Sequence, residues 1–227
     1  MPRIYHLSKT GTRLLYKIRH HKGHGIHSPF VFNFITKVIE EKTPYYAYED
    51  IRLFLEKFPD IVHHENKTNR LAFKIVNYFN AKNILELGAG DGISTLYLTS
   101  PSSDIKCIST ELNPELYNKS YDLFEYWKRN IILTNEEFPK IADTPDCIYI
   151  NLRNYQPDQS KLASYLLSTV GESSFIFIDG IRTNRKQQML WRKLIENNKV
   201  VISLDLFHLG ILFFDKKYHK RNYKLSF

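Results

Sequence analysis

The segment Glu86-Leu87-Gly88-Ala89-Gly90-Asp91-Gly92 sets an acid ahead of three glycines at alternate positions. Glycines let the backbone turn sharply and let a ligand come close to it. Asn83–Leu87 reads as a short buried strand, and a helical pattern opens at Ile93. Free N–H groups at a helix start suit an anion. A dinucleotide fingerprint would need its third glycine at position 93, which is Ile93. The observed spacing suits a small nucleoside cofactor with a charged amino-acid tail. A second strand ends at Glu111, twenty-three residues beyond Gly88, where a carboxylate can accept both hydroxyls of a ribose. The plainer alternative is a tight turn and a surface acid. Strand, loop, helix and acid in the right order favour the cofactor.

Other polar residues fall at strand ends, where α/β sheets place their ligands. Asp179 closes the fifth strand and is the candidate catalytic base or substrate anchor. Its alternative role is to cap the next helix near Thr183. Asn151 closes the fourth strand. His20, His21, His24 and His27 cluster near the start, but the further ligands of a metal site are not evident. His27-Ser28-Pro29 is better read as a helix entry, with histidines that hydrogen-bond locally or to a substrate. His208 reads as structural.

These residues need a frame that holds them. Residues 8 to about 80 read as helical: Leu7, Leu14, Leu15 and Ile18 share a face, and Gly23 and Gly25 break the run. A helix capped by Ser28 carries Phe30, Phe34, Ile35, Val38 and Ile39, and ends by Pro44. Further helices are expected over 47–57 and 66–80, the latter buried through Leu71, Ile75, Val76 and Phe79. Strands are then expected at 83–87, 105–110, 131–133, 147–150, 175–178, 200–204 and 211–214. Helices are expected from 93, over 114–127, 158–168 and 183–196. Strands alternating with helices imply a mainly parallel sheet covered on both faces. The last two strands lie too close for a crossover helix and must pair as an antiparallel hairpin. The expected fold is thus α/β and Rossmann-like, seven-stranded, with residues 1–80 as a helical extension or lid and 81–227 as the main domain.

The 227 residues suffice for one domain with an extension. No apolar run approaches the roughly 20 residues that span a bilayer, and the start lacks a secretion signal. Cys107 and Cys147 sit in strand-like apolar runs and read as buried thiols, so a cytoplasmic location is expected. The net charge of +8 is unevenly spread. Residues 1–39 hold seven Lys/Arg and residues 216–227 five, with no acid in either, so the body between carries −4. Such ends suit nucleic acid, an anionic membrane surface or an acidic carrier protein. A solvated basic face is the default reading.

Glu86–Gly92 with Glu111 resembles the cofactor site of class I S-adenosylmethionine-dependent methyltransferases. The element order resembles their seven-stranded sheet. A bacterial subgroup distantly similar to catechol O-methyltransferase shares the segment His24-Gly25-Ile26-His27-Ser28-Pro29-Phe30 and the run Asp205–Ile211. The resemblance implies that Gly88 and Gly90, with Ala89 and Gly92 in the same loop, meet the methionine part. It implies Glu86 at the amino group and Glu111 at the ribose. Glu136 would face the adenine, or else be a solvated acid. Asn151 and His27 would meet the acceptor, a small molecule with oxygen as the favoured atom. The subgroup carries Asp-Gly-Asn-His after the fourth strand and paired acids or Asp-Asn after the fifth. This chain has Asn151-Leu152-Arg153-Asn154 and Asp179-Gly180. In catechol-type relatives those positions hold a divalent metal. Two oxygens with one charge, opposed by Arg153, suit such an ion poorly, so no bound metal is expected. The departure also raises two other readings: a fold that binds but no longer catalyses, and an RNA methyltransferase that uses the basic ends.

Overall fold

The fold is described from a computed structural model covering residues 27–61, 66–225 and 227. The helix expected near residues 8–22, and His20, His21 and His24, lie outside the described residues. Helix α1 (Pro29–Phe34) starts where the sequence sets a cap and a proline. The Val31 N–H donates to Ser28 Oγ at 3.4 Å, and Pro29 sits in the first turn. It runs on into a π-helical stretch, Ile35–Ile39. Helices α2 (Tyr46–Leu55) and α3 (Lys67–Phe79) follow. Asn66 caps α3 at the front, and Asn80 stops it in the left-handed conformation, which asparagine tolerates well.

The remaining chain alternates: β1 (Asn83–Leu87), α4 (Ile93–Thr99), β2 (Lys106–Thr110), α5 (Pro114–Trp127), β3 (Asn130–Thr134), β4 (Cys147–Asn151), α6 (Gln159–Thr169), β5 (Phe175–Asp179), α7 (Arg185–Glu196), β6 (Ile202–Asp205), β7 (Leu209–Phe213) and β8 (Arg221–Lys224). The sheet order is β3-β2-β1-β4-β5-β7-β6-β8. β7 runs antiparallel to both of its neighbours, and the other pairings are parallel. The chain steps outward from β1 through β2 to β3 and returns to β4 on the other side. The switch point therefore lies between β1 and β4, where a ligand cleft is expected.

Among the described residues the sheet has eight strands, one more than the sequence pattern gives. The additional strand, β8, pairs in parallel with β6 through Arg221 to Lys224. It is short, charged and at the edge, so it has neither the apolar run nor the alternation that marks a strand. The strand expected at 211–214 instead begins at Leu209. Gly210 permits this, because a Cβ there would strike the Trp191 ring.

Alternate residues of each strand face opposite layers. Ile84, Cys107, Cys147, Tyr149 and Phe177 pack under α1 and α3, against Phe34, Leu71 and Ile75. Leu85, Leu87, Ile148, Ile150 and Ile178 pack under α6 and α7, against Leu162, Leu166, Leu190 and Trp191. A third cluster joins α2, α4 and α5 through Ile51, Leu96 and Leu123. Cys107 and Cys147 are buried and unbridged, and burial pushes both thiols up. The crossover from β3 to β4 carries no helix. Side chains reach across to hold it: the Tyr155 hydroxyl donates to the Glu137 carbonyl, and the Tyr165 hydroxyl to the Pro139 carbonyl at 2.7 Å.

Candidate functional site

The glycine loop follows β1 and is fixed to the end of β2. The Gly88 and Ala89 N–H groups donate to the Thr110 carbonyl at 3.0 and 2.9 Å. Gly88, Gly90 and Gly92 all have positive φ, a region L side chains rarely adopt. Space is also short. A Cβ on Gly88 would lie 2.7 Å from Tyr155 Cβ and 3.1 Å from the Asn151 carbonyl, so the loop after β4 rests directly on it.

Glu111 turns toward this loop. Its Oε2 accepts the Gly90 N–H at 2.6 Å, and its Oε1 accepts the Asn113 N–H at 2.8 Å. The residue is 1% exposed. Each carboxylate oxygen keeps a further lone pair for a ligand hydroxyl.

Beside this contact, a cleft of about 290 Å³ opens at the carboxyl ends of β1, β4 and β5. Ala89, Asp91, Ile93 and Ser94 line it from the glycine loop and α4, and Asn66 and Asn69 from the start of α3. Tyr149, Asn151 and Asp179 complete it from the sheet, and Asn154 from the loop after β4. Asn151 and Asp179 are register partners on adjacent strands. Burial raises the Asp179 carboxyl above its ordinary range, against the opposing pull of Arg153. The Asp179 carboxylate accepts from Arg153 Nη2 at 3.4 Å.

The structure thus brings Ala89, Asn151 and Asp179 into one cleft; Gly90, between the lining residues Ala89 and Asp91, is bonded to Glu111, and Gly88, Gly92 and Glu111 lie outside the lining. It does not bring Glu86, Glu136 or His27 there. Glu86 points into the layer under α4. Its carboxylate accepts the hydroxyls of Ser94, Thr95 and Ser109, the last at 2.7 Å, and is fully buried. Glu136 and His27 are exposed, and neither lines the cleft. Asp179 does not cap α7; Asn184 does, accepting the Gln187 N–H at 3.1 Å. The sequence reading missed Asn66, Asn69, Asp91, Ser94 and Asn154. Asn69 had a signal: it is a polar residue on the buried stripe of α3.

Burial raises the Glu86 carboxyl, and the three hydroxyls pull it back only in part. The folded chain therefore keeps a proton that the unfolded chain releases once pH passes the ordinary carboxylate range. Stability from this group is full at low pH and is lost as pH rises through the folded value. In Glu86→Gln that loss should vanish. Urea midpoints from pH 4.5 to 8 should diverge in favour of the variant as pH rises, and parallel curves would refute the assignment.

No family model matches the chain, and no curated protein matches it. Solved structures do. The SAH-bound methyltransferase PaMTH1 of Podospora anserina superposes with a TM-score of 0.57 at 14% identity, over 83% of this chain and 97% of that one. An O-methyltransferase from Bacillus cereus in complex with SAH gives 0.55 at 16% identity, over 81% and 97%. The O-methyltransferase TomG from Streptomyces achromogenes, in complex with SAM, gives 0.55 at 12%, over 76% and 91%. Among the described residues no helix is long and apolar enough to cross a membrane. At these identities the likeness concerns architecture, and it shows that the chain adopts the Rossmann-like fold of these methyltransferases.

Proposed function

We propose that the chain is an S-adenosylmethionine-dependent methyltransferase acting on a small-molecule acceptor, with oxygen as the accepting atom. The observation that carries this reading is the 2.6 Å contact between Glu111 and the Gly90 amide, at the edge of a polar cleft at the sheet's switch point. The residues present fit the cofactor. Glu111 retains lone pairs for two ribose hydroxyls. Asn69, Asp91 and Ser94 offer amide, carboxylate and hydroxyl groups to a zwitterionic amino-acid end. The cofactor, when bound, supplies a methyl group already activated on a sulfonium.

This chain's residues are left to orient the acceptor and exclude water. Asp179 stands at the cleft with a raised carboxyl. That shift brings it nearer the range in which a carboxylate serves as a general base at neutral pH. Asn151, beside it, orients the acceptor. Small-molecule specificity and the cytoplasmic location belong to the same reading.

Calorimetric titration with S-adenosylhomocysteine tests it. The native chain should bind saturably. Glu111→Ala should bind about 10- to 100-fold more weakly, the loss expected for hydrogen bonds to a charged group. No heat with the native chain would overturn the reading. Equal affinity in the variant would remove Glu111 from the ribose.

A further inference from the structure

Asn151 and Asp179, side by side at the ends of β4 and β5, already have partners within this chain. The Arg153 N–H donates to Asn151 Oδ1 at 3.1 Å, and the Arg153 guanidinium reaches Asp179 Oδ1 at 3.4 Å. Gly180 has φ +93°, and a Cβ there would lie 2.9 Å from Thr183 Oγ1 and 3.5 Å from Arg153 Cγ. The close approach is to Thr183, and the arginine stem lies at ordinary contact distance from position 180.

The two halves of the ion pair differ in exposure. The Asp179 side chain is 9% exposed and that of Arg153 is 51%. The carboxylate is an anchor set in the cleft wall, and the guanidinium is its open end. A guanidinium carries five N–H donors in a planar fork. Among the described residues only one side-chain nitrogen of Arg153 is engaged. The acids of the cleft, Asp91 and Asp179, would repel an anionic acceptor. Arg153 lies outside that lining, but its ion pair with Asp179 sets a positive charge against the cleft wall.

We propose that Arg153 binds an oxyanion of the acceptor through its guanidinium, while Asp179 holds the guanidinium in place. The acceptor class is then a small molecule carrying a carboxylate or a phosphate near its nucleophilic oxygen. Planar, bidentate recognition of either group is what an arginine fork does best. The inference rests on the methyltransferase reading above.

The test uses the full chain, ¹⁵N-labelled and saturated with S-adenosylhomocysteine. Arginine Nε–Hε signals are followed on titration with benzoate, phenyl phosphate and benzamide. The Arg153 signal is identified by its loss in Arg153→Gln. It should move saturably with benzoate or phenyl phosphate and stay still with benzamide. Benzoate affinity should fall about tenfold in Arg153→Gln, with the S-adenosylhomocysteine heat showing that the variant is folded. Response to one anion alone fixes which oxyanion the site takes. A signal blind to both anions, or moved equally by benzamide, overturns the proposal and leaves the cofactor reading standing. Absence of S-adenosylhomocysteine binding to the native chain overturns both.

Discussion

Gly90→Arg should abolish S-adenosylhomocysteine binding, with a loss of about a thousandfold or more, equivalent to roughly 4 kcal/mol. Two effects combine. Gly90 has φ +63°, and any Cβ there meets the Asn154 side chain in the cleft wall. The new arginine would also be rooted beside Glu111, whose Oε2 accepts the Gly90 N–H at 2.6 Å. A bidentate pair between them would occupy the lone pairs reserved for the ribose. The backbone cost of a left-handed non-glycine residue is about 1–2 kcal/mol, so the variant should fold with a lowered melting temperature. Calorimetry and thermal melting on one preparation separate the two effects. Undiminished binding by a folded variant would place the ligand elsewhere.

Asp205→Ala should be the most destabilising single change at the end of β6, two strands beyond β5 in the sheet. Arg182 donates to both oxygens of Asp205, at 2.7 and 2.6 Å, and to the Phe207 carbonyl. Its guanidinium also lies 5.3 Å from the centre of the Phe207 ring. The Phe207 N–H donates to Asp205 Oδ1 at 3.0 Å. Phe207 has φ +73°, a strained conformation for a bulky residue that persists only when its surroundings dictate it. Removing the carboxylate leaves a largely buried guanidinium without its counter-charge and frees the strained turn. Losing one partner of a buried pair costs about 3–5 kcal/mol. Arg182 is one-quarter exposed, so a loss near the lower end, about 3 kcal/mol, is expected in urea unfolding. Replacing both partners at once, Arg182→Met with Asp205→Leu, should recover much of that loss. A single variant as stable as the native chain would show that the pair does not brace the turn.

That cluster also explains a motif whose cause was hidden in the sequence. The run Asp205–Ile211 was readable as a shared pattern, yet nothing in the chain order tells that Asp205 meets Arg182. The partners come together only because β7 pairs with both β5 and β6. The glycine loop was legible for the opposite reason. Its strand, turn, acid and helix are local, and period and spacing reveal local structure directly. Glu86 shows what strand order alone does not reveal about a side chain's partners. An acid at the end of β1 looks ready for a ligand, but strand alternation turns its side chain to the α4 layer. Three hydroxyls, two of them on α4, wait for it there. Asn66 and Asn69 reach the cleft through tertiary packing of α3, so their role had no marker beyond an amide on an apolar stripe.

The edge strand β8 gives the basic C-terminal region a purpose within the fold. Its partner β6 is buried along its whole length, and an uncovered β6 would offer its backbone to another chain. Arg221 and Lys224 stand exposed on the strand that covers it. Charge repels like copies and makes a poor template for further strand addition. The cations at this border act as a guard against sheet-to-sheet aggregation, a duty that requires no nucleic acid and no membrane.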